Sequence, residues 1–181
     1  MSPISKIMVS GSITLKPLEL TDTDEIFNTI DAQRDYLGKW LPFVRYTRSA
    51  KDTLSFVLSV LEQPVENGNY MYVIQYDEVF AGLIGFKDTD NINKKTEIGY
   101  WLSEKFQKKG IITESIRAMM KLAYNKLDIH RIQIKCAVGN TPSSNIPKRL
   151  GFRFEGIERA GELHSNGCFL DIEVYSKLKG E

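Results

Sequence analysis

Two short segments of the 181-residue chain gather residue types that can hold and process a charged, amide-rich ligand. In the first, Gln107-Lys108-Lys109-Gly110-Ile111-Ile112-Thr113, a glycine stands at the head of a helix-periodic apolar run. Gly110 can take an unusual backbone conformation or let a ligand come close, and the free N–H groups and positive dipole end of a following helix suit a pyrophosphate. The same residues also read as a solvated Lys-Lys turn with a glycine at a helix start. The second segment runs from Asn140-Thr141-Pro142-Ser143-Ser144-Asn145 through Ile146-Pro147-Lys148-Arg149-Leu150 to Gly151-Phe152. Asn140 and Asn145 can donate to and accept from amides, and Ser143 can give a hydrogen bond or a proton. Its structural alternative is a helix cap and a glycine stop.

The surrounding pattern predicts what positions these segments. Ser12 to Leu18 alternates as a strand. Thr21-x-x-Asp24 offers a capping box to a helix bearing Ile26, Phe27 and Ile30, and Ser49-x-x-Asp52 offers another to a helix bearing Leu54, Val57, Leu58 and Leu61. Tyr70 to Tyr76 and Val79 to Lys87, joined at Asp77-Glu78, read as a hairpin, and Thr96 to Leu102 adds a third strand. Ile112, Ile116, Met119, Met120, Ala123 and Leu127 then mark one buried stripe of a helix, with the methionines in the core. Arg131 to Val138 is a strand with Ile132, Ile134, Cys136 and Val138 on one face. A short helix over Ser143 to Leu150 and two strands near Phe152 to Arg159 and Cys168 to Leu178 complete the order β-α-α-β-β-β-α-β-α-β-β. This is a mixed α/β domain, and a helix between two strands makes them near neighbours through a right-handed crossover. Strand ends and a helix N-terminus meet there, the natural place for a ligand.

Composition sets the frame. With 24 Lys+Arg against 23 Asp+Glu and 42% apolar residues, and with no repeat or linker, residues 1–181 read as one globular domain. A domain of this size buries roughly 70% of its unfolded surface, so folding needs no disulfide or structural metal. Cys136, Cys168, His130 and His164 lie on separate segments and suggest neither a zinc site nor a disulfide framework. No run reaches the length of a membrane span, and Met-Ser-Pro-Ile-Ser-Lys lacks the apolar block of a secretion signal, which points to the cytoplasm. A net charge of +1 gives no ground for a broad nucleic-acid footprint.

Together the two segments resemble the GNAT acyl-CoA N-acetyltransferases, and Glu97-Ile98-Gly99-Tyr100-Trp101-Leu102 narrows the resemblance to the RimJ/RimL-like branch. The resemblance implies a GNAT fold over nearly the whole chain, with acetyl-CoA as co-substrate. The coenzyme pyrophosphate would sit on a Gln/Arg-x-x-Gly-x-Gly/Ala loop, matched by Gln107 and Gly110, with Ile112 departing at the last position. Backbone N–H groups of Lys108, Lys109, Gly110, Ile111 and Ile112 would take the phosphates, and Lys105, Lys108 and Lys109 are better explained by them than by nucleic acid. The branch's Asn-x-x-Ser…Gly-Phe pattern maps onto Asn140, Ser143, Gly151 and Phe152. In this fold the strands carrying Glu97 to Leu102 and Arg131 to Val138 splay apart, freeing backbone groups for the pantetheine and thioester. The implied coenzyme contacts are Trp101, Leu102, Gln107 to Thr113, Asn140, Ser143 and Asn145.

Many family members carry a tyrosine four residues before Gly-Phe to protonate the departing thiolate; here that residue is Pro147. By resemblance Ser143 stabilises the thiolate, with a capping role as the alternative. Glu162 matches the position of the base that takes the amine proton through water, or else is a solvated glutamate in the loop between the last two strands. Glu97 is the other candidate base, unless Lys94 or Lys95 pairs with it, and Glu155 and Glu158 read as sheet-surface charges. Cys136 reads as a small core residue rather than an acetyl carrier, His130 as structural, and His164 as a possible acceptor contact. Tyr36, Trp40 and Phe43 lie where the family builds its acceptor cleft, or anchor their loop. The implied activity is acetyl transfer to a primary amine by direct attack in a ternary complex. A protein N-terminus such as that of a ribosomal protein is the expected acceptor, and relatives of this branch are often homodimers. The alternatives are a small amine such as a polyamine, amino acid or aminoglycoside, or a non-catalytic acyl-CoA-binding module.

Overall fold

The computed structural model describes residues 5–64 and 68–181; residues 1–4, part of the segment expected to lack a secretion signal, lie outside them. In chain order the elements are β1 (Ile7–Met8), β2 (Ile13–Pro17), α1 (Thr23–Asp31), α2 (Arg34–Gly38), α3 (Ala50–Leu61), β3 (Met71–Tyr76), β4 (Val79–Asp90), β5 (Lys95–Leu102), α4 (Ile111–Lys126), β6 (Arg131–Ala137), α5 (Thr141–Arg149), β7 (Arg153–Leu163) and β8 (Phe169–Leu178). The strands form one eight-stranded mixed sheet in the order β1-β2-β3-β4-β5-β6-β8-β7. Every neighbouring pair is antiparallel except β5 and β6, the two strands flanking α4.

Local rules account for most of these elements. The two-residue connection between β3 and β4 needs left-handed backbone at both positions, which Asp77 (φ 48°) and Glu78 (φ 64°) adopt. Ser49 and Asp52 cap α3 reciprocally, the Asp52 carboxylate accepting the Ser49 N–H at 2.8 Å. The box expected at Thr21 and Asp24 is not formed. Glu19 and Asp22 form it on a 3-10 turn, because the Lys16 ammonium at 2.6 Å holds the buried Asp22 carboxylate where it accepts the Glu19 N–H. Also unforeseen are β1 and α2, of two and five residues, too short to show a period.

Alternation along β3 divides the core between the two sheet faces. Tyr72 and Ile74 join Ile116, Met119 and Ala123 of α4, all five at most 1% exposed. Val73 points the other way, to Ile26 and Ile30 of α1 and Val57 of α3. On β6, Ile132, Ile134 and Cys136 are buried as expected, but Val138 is exposed just past the end of the strand at Ala137.

β5 and β6 pair only where Lys95 to Glu97 face Arg131 to Gln133. Beyond that point β5 stays with β4 and β6 with β8, so the facing edges diverge and leave backbone groups without ladder partners. The approach of β4 to this region depends on Gly82, where a Cβ would lie 2.1 Å from the Trp101 carbonyl oxygen.

Candidate active site

The loop before α4 is braced from α1 and α2. Gln33, between those helices, accepts the Glu104 N–H at 2.7 Å and bonds the Ser103 hydroxyl, while the Gln107 amide donates to the Tyr36 hydroxyl. Lys108 (φ 63°) and Gly110 (φ 75°) both take left-handed backbone, and Gly110 starts α4 with no side-chain cap. The first N–H groups of the helix therefore carry its positive dipole end without a capping side chain. Lys109 turns away, its ammonium 4.7 Å from the Tyr76 ring, and that of Lys105 stands over Phe106.

At the end of β6, Asn140 caps α5 by accepting the Ser143 N–H at 3.4 Å. The Ser143 Oγ lies 3.0 Å from the Tyr100 hydroxyl and 3.3 Å from the Cys136 sulfur. Burial pushes the Tyr100 phenol far up and the Cys136 thiol up to about 11. Burial therefore favours the thiol form of Cys136 over the thiolate that a nucleophile needs.

Two cavities open on this point. One, of about 470 Å³, is walled by Trp101, Leu102, Gln107, Lys108, Gly110, Ile111, Ile112, Thr113, Asn140, Ser143 and Asn145. These are all the expected coenzyme contacts except Lys109, whose side chain lies on the aromatic rings instead. Tyr36 and Arg149 also line that wall, and the Arg149 guanidinium donates to Thr113 Oγ1 at 3.2 Å. The other, of about 530 Å³, contains Lys87, Asp88, Glu97, Lys135 and Glu162 beside Phe43 and Phe56. Trp40, Leu41, Tyr100, Trp101, Asn140 and Ser143 line both. The cavities therefore meet where β5 and β6 part.

The two candidate carboxylates differ in environment. Glu97 is buried, and its partner is Lys87 at 2.8 Å, not Lys94 or Lys95. The reason is register: Lys87 lies directly across the β4–β5 ladder, while Lys94 reaches Asp128 and Lys95 faces Asp90. Glu162 belongs to β7 rather than to a loop, since the hairpin continues to Leu163. A register shift between Glu158 and Glu162, with Ala160 left-handed and its N–H bound to Asp171, precedes the pairing of Glu162 with Leu170. Glu162 is exposed to solvent at the cavity wall, and the partial desolvation there raises its pKa; Lys87 opposes this and the Glu97 charge reinforces it. Glu155 and Glu158 pair with Arg131 and Lys135 on the sheet surface, as expected.

His164 does not line either cavity; its Nε2 lies 3.2 Å from the Gly38 carbonyl oxygen, tying the β7–β8 turn to α2. His130 is exposed ahead of β6. Sequence patterns missed Gln33, Arg149 and the role of Tyr100. Of these only Tyr100 left a trace, a phenol between Ile98 and Leu102 on a buried strand face, where a hydroxyl needs a partner. Among the described residues no helix is long and apolar enough to cross a membrane, and no group of three His, Cys, Asp or Glu side chains could hold a metal ion.

Residues 12–153 match the profile of the acetyltransferase (GNAT) domain. The Bacillus subtilis protein named "Putative ribosomal N-acetyltransferase YdaF" is 35% identical over 174 residues, 96% of this chain and 94% of the relative. The ribosomal-protein-serine acetyltransferase of Escherichia coli K12 is 27% identical, over 95% of this chain and 96% of its own. Among solved structures, the ribosomal L7/L12 alpha-N-protein acetyltransferase RimL in complex with coenzyme A superposes with a TM-score of 0.91 at 29% identity, covering 96% of this chain and 98% of the other.

Proposed function

This chain belongs to the GNAT acetyltransferase family, and we propose that it moves the acetyl group of acetyl-CoA to the N-terminal amine of a protein, a ribosomal protein being the favoured class. The observation that carries this reading is the meeting of the two cavities at Ser143 and Trp101. Coenzyme in the smaller cavity would place its phosphates at the uncapped start of α4 near Lys108 and Arg149, and its pantetheine along the free edge of β5. The thioester would then lie at the junction, open to an amine arriving from the larger cavity.

In the proposed reaction the amine nitrogen attacks the thioester carbonyl carbon and the carbon–sulfur bond breaks. The amine proton passes through water to Glu162, and the Ser143 hydroxyl hydrogen-bonds the departing thiolate. Lys87 already neutralises Glu97, which favours Glu162 as the base, and a raised pKa strengthens a carboxylate for that task. The larger cavity mixes Asp88, Glu97 and Glu162 with Lys87 and Lys135. With three carboxylates against two lysines the excess is one negative charge, which suits a single amine better than a polyamine, whose several charges would call for a larger excess of acid. The relatives named for ribosomal proteins support the same acceptor. A cytoplasmic setting fits the free thiols of Cys136 and Cys168.

The test is thiol release from acetyl-CoA against a panel of peptides with free or blocked N-termini, spermidine, free amino acids and an aminoglycoside. Free-amine peptides should give the highest kcat/KM. A small amine that outperforms every peptide tenfold would move the acceptor to that class. Tight coenzyme binding without turnover on any amine would leave a binding module.

A further inference from the structure

We propose that Tyr100 and Cys136 are positioning residues that fill both lone pairs of the Ser143 oxygen and so aim its only proton at the junction of the cavities. The inference rests on the reading of Ser143 as the group that meets the departing thiolate. A serine hydroxyl carries one proton and two lone pairs, so on its own it can equally turn its proton inward and accept. Here the Tyr100 hydroxyl is 3.0 Å and the Cys136 sulfur 3.3 Å from Ser143 Oγ, one from β5 and the other from β6, across the gap between the diverging strands.

Both neighbours remain protonated at neutral pH, since burial raises each of them, so each has a proton to give. Pro147 strengthens the arrangement. It sits one helical turn after Ser143 and has no N–H, so the Ser143 carbonyl lacks its usual helical donor. The Tyr100 hydroxyl is 3.4 Å from that carbonyl oxygen as well, so both oxygen acceptors offered to the phenol proton belong to Ser143, with the Cys136 sulfur as a weaker alternative. The backbone N–H of Ser143 is taken by Asn140. With its other polar atoms occupied, the serine presents a hydrogen-bond donor to the cavities, which suits a sulfur that becomes anionic as the carbon–sulfur bond breaks.

The experiment is a mutant cycle on the single-turnover rate of acetyl transfer at saturating acetyl-CoA, with coenzyme affinity measured by calorimetry. Tyr100→Phe should slow transfer about three- to tenfold, the equivalent of one neutral hydrogen bond, and leave the coenzyme Kd within about threefold. In a Ser143→Ala background the same change should have no further effect. Cys136→Ala should cost about twofold and Cys136→Ser, which keeps a donor, should restore the rate. A Tyr100→Phe rate within the error of wild type, or losses that multiply in the double mutant, would overturn the proposal while a slowed Ser143→Ala leaves the thiolate role of Ser143 standing. A Ser143→Ala protein at full rate would overturn both. If Tyr100→Phe does not fold, the cysteine pair decides: Ala and Ser equal to each other at position 136 would refute the positioning role.

Discussion

Replacing Gly110 by valine separates a ligand-binding loop from an ordinary turn. Gly110 has φ 75° and ψ 0°, and a Cβ built there meets nothing within 4 Å. No clash arises, so the cost is conformational: a β-branched residue held in left-handed backbone is strained by about 1–3 kcal/mol. The loop can relieve that strain by turning toward ordinary φ, which would swing the first N–H groups of α4 away from the cavity they border. If those groups hold the coenzyme phosphates, affinity pays the same 1–3 kcal/mol, a Kd raised about five- to 150-fold. Asparagine tolerates left-handed backbone, so Gly110→Asn should lose less than about fivefold. Calorimetric titration of coenzyme A into the three proteins, each shown to be folded by circular dichroism, gives the comparison. Valine with unchanged affinity, or asparagine as damaging as valine, would refute the reasoning.

Three further outcomes follow from the fold. Gly82→Ala would press a Cβ against the Trp101 carbonyl, so β5 must shift; about 1–3 kcal/mol of stability should go, together with coenzyme affinity, as read by urea melts and calorimetry. Ile116→Ala, at a fully buried position on the core face of α4, should cost about 2–5 kcal/mol in the same melts. Glu155, held at about 2 chiefly by its hydrogen bonds to Arg131, contributes stability that is complete above its ordinary value of 4.5 and is lost as pH falls toward 2. Because the pair is partly exposed, Glu155→Gln should remove only about 0.5–1 kcal/mol at neutral pH and flatten the acid limb of stability against pH.

Long periodic elements were legible in the sequence because one physical rule dominates each. The stripe on α4, the hairpin turn at Asp77-Glu78 and the Ser49–Asp52 cap all follow from local spacing. Where long-range partners decide, local spacing misled. Lys16, six residues away in sequence, moved the first capping box to Glu19 and Asp22, and strand register gave Glu97 to Lys87 instead of to its sequence neighbours. The site divided in the same way. Gly110 and Asn140 announce helix starts, so the wall of the smaller cavity was readable, whereas the seat of the Lys109 ammonium on aromatic rings depends on residues that only the fold brings near. The contact between Tyr100 and Ser143 joins residues 43 positions apart, and no periodicity encodes such a pair.

The most direct test of Glu162 as the base that serves a thioester at the cavity junction is the pH dependence of kcat/KM for wild type and Glu162→Gln, measured with acetyl-CoA and a free-amine peptide. Glutamine keeps the size and hydrogen bonding but cannot take a proton, so the rate at neutral pH should fall by roughly 10²–10⁴ while coenzyme affinity holds. Only the ionised carboxylate accepts the proton, so an acid limb due to Glu162 should fall away as pH drops through a value above the ordinary 4.5, in the direction desolvation imposes. The mutant's deficit should narrow as pH rises toward the pKa of the acceptor amine, which then arrives already deprotonated. A mutant within about threefold of wild type at neutral pH, with chemistry shown to limit turnover, would contradict this role and direct the search to Glu97.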